Sequence, residues 1–145
     1  MVSIRPAEPA DLPAISALDH RLTGVGKASY WQLMLERYGG GPPDRHFLVA
    51  ESGEGALAGF IVGEVRAWEF GQPAAGWVFA VQVDPDQRLR GTGSALFDAL
   101  CRRFRAQGVT RVRTLVDRRD HLILSFFRAQ GMVAGPSLEL DKELA

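Results

Sequence analysis

The sequence holds one cysteine, Cys101, only two lysines, Lys27 and Lys142, and no net charge. A single thiol excludes a disulfide framework. Seventeen basic side chains balance seventeen acidic ones, so bulk charge gives no attraction to nucleic acid or to an acidic membrane surface. No apolar run approaches the roughly eighteen residues of a transmembrane helix. The opening Met1-Val2-Ser3-Ile4-Arg5-Pro6 lacks the apolar stretch of a signal peptide. His20, His46 and His121 have no metal-ligand spacing, so surface or capping roles are expected for each and no metal is expected. These absences lead to the expectation of a cytoplasmic protein with no nucleic-acid and no membrane partner.

What remains is an ordinary globular balance over 145 residues, 46% hydrophobic and 23% charged, which suits a single domain, 1–145. The neutral total is composite. Residues 84–120 hold nine arginines and five acids, a local excess of +4, and the rest of the chain is −4. A small anion has a reason to sit in that basic segment.

Ser3 to Pro6 reads as a first strand. Asp11 is placed to cap a helix carrying Leu12, Ile15, Leu18 and Leu22 at helical spacing. Ser29 and Gln32 have capping-box spacing ahead of a second helix, which the run Gly39-Gly40-Gly41-Pro42-Pro43 ends. Strands follow at His46–Glu51, Ala56–Trp68 and Trp77–Val83. Gly93 to Gln107 is the clearest helix, with Leu96, Phe97, Leu100, Cys101 and Phe104 on one face and arginines on the other. A strand over Val109–Val116, a helix from Asp117 or Asp120 to Gln130, and a last strand over Met132–Leu140 complete the order. The pattern is an α/β (α+β) mixed sheet rather than a regular doubly wound one.

The stretch that carries chemistry is strand, short polar turn, then Arg88-Leu89-Arg90-Gly91-Thr92-Gly93-Ser94 leading into the helix. Two glycines one residue apart let the backbone bend and aim several N–H groups one way. The helix start adds its positive dipole end, and Arg88 and Arg90 add full charges. This is an anion cradle sized for a phosphate or pyrophosphate. A P-loop would need a lysine, and a dinucleotide fingerprint a third glycine where Leu96 stands; neither fits.

Arg88-Leu89-Arg90-Gly91-Thr92-Gly93 matches [QR]-x-x-G-x-[GA] and resembles the cofactor turn of the GCN5-related N-acetyltransferase (GNAT) superfamily. Val81-Gln82-Val83-Asp84-Pro85-Asp86-Gln87-Arg88 is similar to that family's strand four and its exit. Ile4 to Leu12 resembles its first strand and turn, and Phe126 to Met132 its helix-end pattern. The resemblance implies a mixed, mostly antiparallel sheet of about six to seven strands, with about four helices on both faces and strands four and five splayed.

It also implies acetyl-CoA as donor and an amine, small or protein-borne, as acceptor. Backbone amides from Leu89 to Ser94 would hold the pyrophosphate, and main-chain groups of Val81 and Val83 the pantetheine arm. Asp120, Ser125 and Phe127 fall where the family's fourth helix contacts the cofactor. The amine would attack the thioester directly. Homodimers are frequent in the family, but no patch in this sequence marks one.

The chain departs from the family at the proton-handling positions. Phe127 stands where many members carry a tyrosine that donates to the leaving thiolate. Trp77 and Leu115 stand where other members carry a basic glutamate. Substitute bases are Glu64, Glu69 and Asp117, the last also a helix-cap candidate. Two rivals stay open: an acyl-CoA-binding domain that senses without turnover, and a phosphate-binding module of another kind.

Overall fold

The computed structural model describes residues 2–40 and 43–145; Met1, Gly41 and Pro42, and the side chains of Leu89 and Arg90, lie outside that description. Of the run Gly39–Pro43 expected to stop the second helix, Gly41 and Pro42 are thus not described, and the helix ends at Tyr38 with Gly39 as its C-cap. The chain divides into two compact units, Met1–Leu115 and Val116–Ala145.

The first unit is built from β1 (Val2–Pro6), α1 (Leu12–Thr23), α2 (Ala28–Tyr38), β2 (Arg45–Ser52), β3 (Leu57–Arg66), β4 (Ala75–Val83), α3 (Thr92–Ala106) and β5 (Val112–Thr114). Its sheet runs in the order β1-β2-β3-β4-β5. The first three pairings are antiparallel; α1 and α2 lie between β1 and β2, and shorter loops join β2 to β3 and β3 to β4. The β4–β5 pairing is parallel, because α3 carries the chain back across the sheet between them. β3 lies in the middle, and Ala58–Glu64 is buried throughout, which is why it reads as one long apolar run.

The mixed, mostly antiparallel sheet agrees with the sequence, but among the described residues it has five strands rather than six to seven. Met132–Leu140 forms no strand. Pro136 has no N–H to give a ladder, and Gly135 before it resists an ordered extended form. Val133, Leu138 and Leu140 are left 88%, 73% and 87% exposed. β5 is also shorter than Val109–Val116. Its apolar residues Val109, Val112 and Leu115 recur every third position, which cannot keep one face of a strand buried; Leu115 is 68% exposed.

Helix starts differ from expectation too. No side chain caps α1 or α2. The Asp11 carboxylate is taken instead by the Arg5 guanidinium, at 2.8 and 2.9 Å, and by the Glu8 amide at 2.7 Å. Ser29 lies inside α2, which follows Lys27.

α1 and α2 cover one face of the sheet. Ile15, Leu18, Trp31, Met34, Phe47, Val49, Phe60 and Val62 form that core. Trp31 is its centre, edge-on to Phe60 at 5.0 Å and to Phe47 at 6.2 Å. α3 covers the other face with Leu96, Leu100 and Phe104. It lies close because Gly59, Gly63 and Gly76 face it: a Cβ on Gly59 would come 3.2 Å from Leu96 and one on Gly63 3.0 Å from Leu100. His46 is 8% exposed, not on the surface; its Nε2 is 2.8 Å from Gln107 and its ring is edge-on to Phe104. Cys101 is half-buried, and burial raises its thiol pKa.

The second unit holds α4 (His121–Ala129). Asp120 is its cap, accepting from the Ile123 amide at 3.1 Å. Asp117 accepts from the Arg119 amide at 2.8 Å and so holds the preceding turn. Gly131, at φ 92°, closes the helix end.

Candidate active site

β4 is longer than its partner β5. The two pair only at Gly76, Trp77 and Val78, and the Thr114 hydroxyl donates to the Val78 carbonyl at 2.9 Å where pairing stops. Among the described residues, no strand pairs with Phe79–Val83 on that side. Backbone parity then follows from the main-chain hydrogen bonds. The Asp84 amide donates to Ala58 on β3 at 2.8 Å, and antiparallel residues alternate in the direction of their N–H and C=O. Val81 and Val83 therefore turn their main-chain groups away from β3, toward the open edge. Closer to the loop the parity is reversed, because Gly76 donates toward β5, to Arg111 at 2.8 Å. The register shift opposite Val62/Gly63 makes the change, with Phe79 as the extra residue.

β4 leads into a 3-10 turn, Pro85–Arg90, capped by Asp84, whose Oδ1 accepts the Asp86 amide at 2.9 Å. The Arg21 guanidinium donates to the other Asp84 oxygen at 3.1 Å. Gly91 follows at φ 76°, in the left-handed region, and is itself the N-cap of α3. The expected turn thus delivers the chain straight onto a helix start. No side chain caps this end, and its first turn carries no acid. Ala95 donates to Gly91 at 3.0 Å, which opens the helical ladder just after the turn.

A Cβ at Gly91 would meet no atom within 4 Å, so the approach is open. Thr92 is 0% exposed, and its hydroxyl has no hydrogen-bond partner. A helix start with no side-chain cap, no acid and an open approach fits a phosphate group. Arg88 is exposed beside it. The placement of the Leu89 and Arg90 side chains is outside the described set.

Glu64 and Glu69 are brought together by one guanidinium. Arg66 Nε donates to Glu64 Oε1 at 2.7 Å, and Arg66 Nη1 to Glu69 Oε2 at 3.2 Å. Arg45 Nε takes the other Glu64 oxygen at 3.2 Å. Glu64 is 8% exposed, whereas the Glu69 side chain is 53% exposed. The Tyr38 hydroxyl donates to Glu64 at 3.5 Å; burial, then the Glu64 charge, raise the phenol above its ordinary value. Arg66 lies 5.0 Å over the Phe79 ring, and Trp77 stands opposite Glu64. Asp117 is in the other unit, bound to the Arg119 side chain, which lowers it to about 2. There too, Asp120 caps α4, Ser125 is exposed, and Phe127 is 5% exposed.

Sequence reasoning did not find Asp19. It is 0% exposed on the core side of α1. Trp31 Nε1 donates to its Oδ2 at 2.9 Å, Lys27 Nζ lies 3.0 Å from the same oxygen, and Gln82 Nε2 donates to Oδ1 at 2.7 Å. The available signal was position: Asp19 is four residues past Ile15, on the apolar face. Burial acts to raise its pKa, but the bonds from Gln82, Trp31 and Lys27 outweigh it and hold the group below its ordinary 3.8.

A carboxylate lowered by folding stabilises fully above its unfolded value, and loses that contribution as pH falls through the folded one. Asp19→Asn is therefore expected to lose about 2 kcal/mol of stability at neutral pH. The gap to wild type should narrow well below 3.8. Urea unfolding at pH 7 and pH 3 checks this, and an equal gap at both would contradict it.

The family model described as "Acetyltransferase (GNAT) family" matches residues 13–132. The chain belongs to the GNAT acetyltransferase family. That match runs across both units. An L-2,4-diaminobutyric acid acetyltransferase of Nocardia farcinica (strain IFM 10152) is 32% identical over 85 residues, 59% of this chain and 42% of that protein. The chain thus spans less than half the length of this relative.

Among solved GNAT-like structures, the aminoglycoside N-acetyltransferase AAC(6')-Iy in complex with CoA superposes at a TM-score of 0.84. It has 15% identity, over 100% of this chain and 96% of that one. Glucosamine-6-phosphate N-acetyltransferase of Arabidopsis thaliana gives 0.75 and 20%, over 100% and 99%. An aminoglycoside acetyltransferase from an uncultured soil metagenomic sample, in complex with sisomicin, gives 0.74 and 17%, over 99% and 96%. At these identities the likeness is one of fold.

Proposed function

We propose that this GNAT protein transfers an acetyl group from acetyl-CoA to a primary amine. One observation carries the reading: the unpaired edge of β4 leads, through the 3-10 turn Pro85–Arg90, to an acid-free helix start at Gly91 that no side chain caps. An extended arm with amide groups suits the first, and a pyrophosphate suits the second. In this reading Val81 and Val83 pair with the arm, and the amides of residues 89–94 hold the phosphates, with Arg88 adding charge.

Bound acetyl-CoA supplies an activated acyl carbon, which the amine nitrogen attacks; the C–N bond forms, the C–S bond breaks, and the thiolate takes up a proton. A main-chain N–H on the open edge of β4 stabilises the developing oxyanion. The amine must first lose a proton. Asp117, held at about 2, accepts one poorly. Both oxygens of Glu64 are engaged by arginines, so it serves to fix Arg45 and Arg66. Glu69 makes one ion pair and is half in solvent, and takes the proton through water.

The test is release of free CoA from acetyl-CoA on addition of amines, with acetyl-CoA binding measured in parallel. Glu69→Gln is expected to lower kcat about a hundredfold, a general-base effect at the small end of the usual range, with acetyl-CoA affinity unchanged. Binding without any amine-dependent release would favour the sensing domain instead.

A further inference from the structure

Gln82 lies between Val81 and Val83, but its side chain serves a different face. Val81 and Val83 turn main-chain groups to the open edge of β4, whereas the Gln82 side chain goes to the α1 side and donates to Asp19 Oδ1 at 2.7 Å. That bond fixes the orientation of the amide. An ionised carboxylate only accepts, so Gln82 must present its NH2 to Asp19 and its carbonyl oxygen elsewhere. Flipping the amide would set oxygen against oxygen. The carbonyl oxygen so directed is buried and has no hydrogen-bond partner. A buried acceptor left unpaired costs about 1–3 kcal/mol, which a ligand N–H would recover. Donation of its own N–H to a carboxylate also polarises the amide and increases the negative charge on that oxygen, which favours a cationic donor.

We propose that the Gln82 side-chain carbonyl receives an N–H of the acceptor amine and so places its nitrogen beside the acyl donor. This rests on the acetyl-transfer reading. The ligand is an amine and not the donor's arm, because the arm runs along the main-chain edge and Gln82 reaches the face at right angles to it. Asp19 acts as the positioning residue that aims the oxygen.

Two variants test this by different routes. Gln82→Met keeps length and apolar contact but removes the carbonyl. Asp19→Asn retains Gln82 and turns it around. Trp31 and Lys27 are donors and must keep the one remaining oxygen of the introduced amide. Its NH2 then faces Gln82, which must flip to accept, and the face meets the amine with donors instead of an acceptor.

With L-2,4-diaminobutyrate, sisomicin and methylamine as probes, both variants are expected to raise the amine KM at least tenfold. The acetyl-CoA Kd and the slow amine-independent hydrolysis of acetyl-CoA should stay within twofold. An unchanged KM in either folded variant overturns the assignment of Gln82. So does a Kd for acetyl-CoA that weakens in step with KM, since the oxygen would then serve the donor or the fold. If no probe stimulates CoA release from the wild type, the acetyl-transfer reading itself fails, and this assignment fails with it.

Discussion

Gly76→Ala is expected to lower the melting temperature by about 10 °C, from about 3 kcal/mol of overpacking in a domain of this size. A Cβ at Gly76 would fall within the Phe104 ring. The ring has nowhere to go. Its far edge lies 3.2 Å from where a Cβ on Gly63 would be, and His46 packs against it edge-on. Gly76 is also bonded to Arg111, just before β5, so the strand cannot move away without loosening the parallel pair. Adding Phe104→Leu to Gly76→Ala should return more than half of the loss caused by the glycine change. A thermal unfolding series of the two single variants and the double variant measures that coupling. Gly76→Ala melting with the wild type would show that α3 sits farther from the sheet than described.

Gly91→Val is expected to weaken acetyl-CoA binding at least tenfold while leaving the protein folded. The free protein has open space at this position, so no clash accompanies the substitution. The residue is at φ 76°, where a side chain costs about 1–2 kcal/mol and a β-branched one sits least well. The α3 start would rotate out of that conformation, and its amides would no longer converge. A tenfold loss corresponds to about 1.4 kcal/mol, less than one well-placed phosphate contact set at a helix start could lose. Calorimetric titration with acetyl-CoA checks it. Unchanged affinity in a folded variant would remove the phosphate role from this turn.

The parts legible in the sequence were those whose cause is local. The turn at Gly91 was readable because a left-handed residue before an apolar-periodic helix leaves a glycine in the pattern. β3 and β4 were readable as apolar runs, and α3 as a stripe of leucine and phenylalanine opposite arginine. The failures have physical reasons. Met132–Leu140 carries strand-type residues, but Gly135-Pro136 breaks the ladder it would need. Val109–Val116 has the right composition and the wrong period.

At the site, Glu64 could be picked out as a buried-strand carboxylate. Its two arginines could not be assigned, since Arg45 comes from another strand across the sheet. The Asp19–Gln82 bond joins residues 63 apart in sequence, and only the folded sheet reveals it. The closeness of Gly59 and Gly63 to Leu96 and Leu100 of α3 appears only when the helix is laid against them.

The Thr114 hydroxyl on the Val78 carbonyl also sets a length. It ends the β4–β5 pairing at a fixed residue, and Gly91 marks the other end of the opening. Phe79–Val83 spans roughly 17 Å at strand rise. In the acetyl-transfer reading, the site measures its donor as well as binding it. A thioester whose arm is too short to run from the helix start to Val78 would anchor its phosphate and leave its carbonyl short of the amine. Donor selection would then be a matter of reach, set by where one threonine closes the sheet.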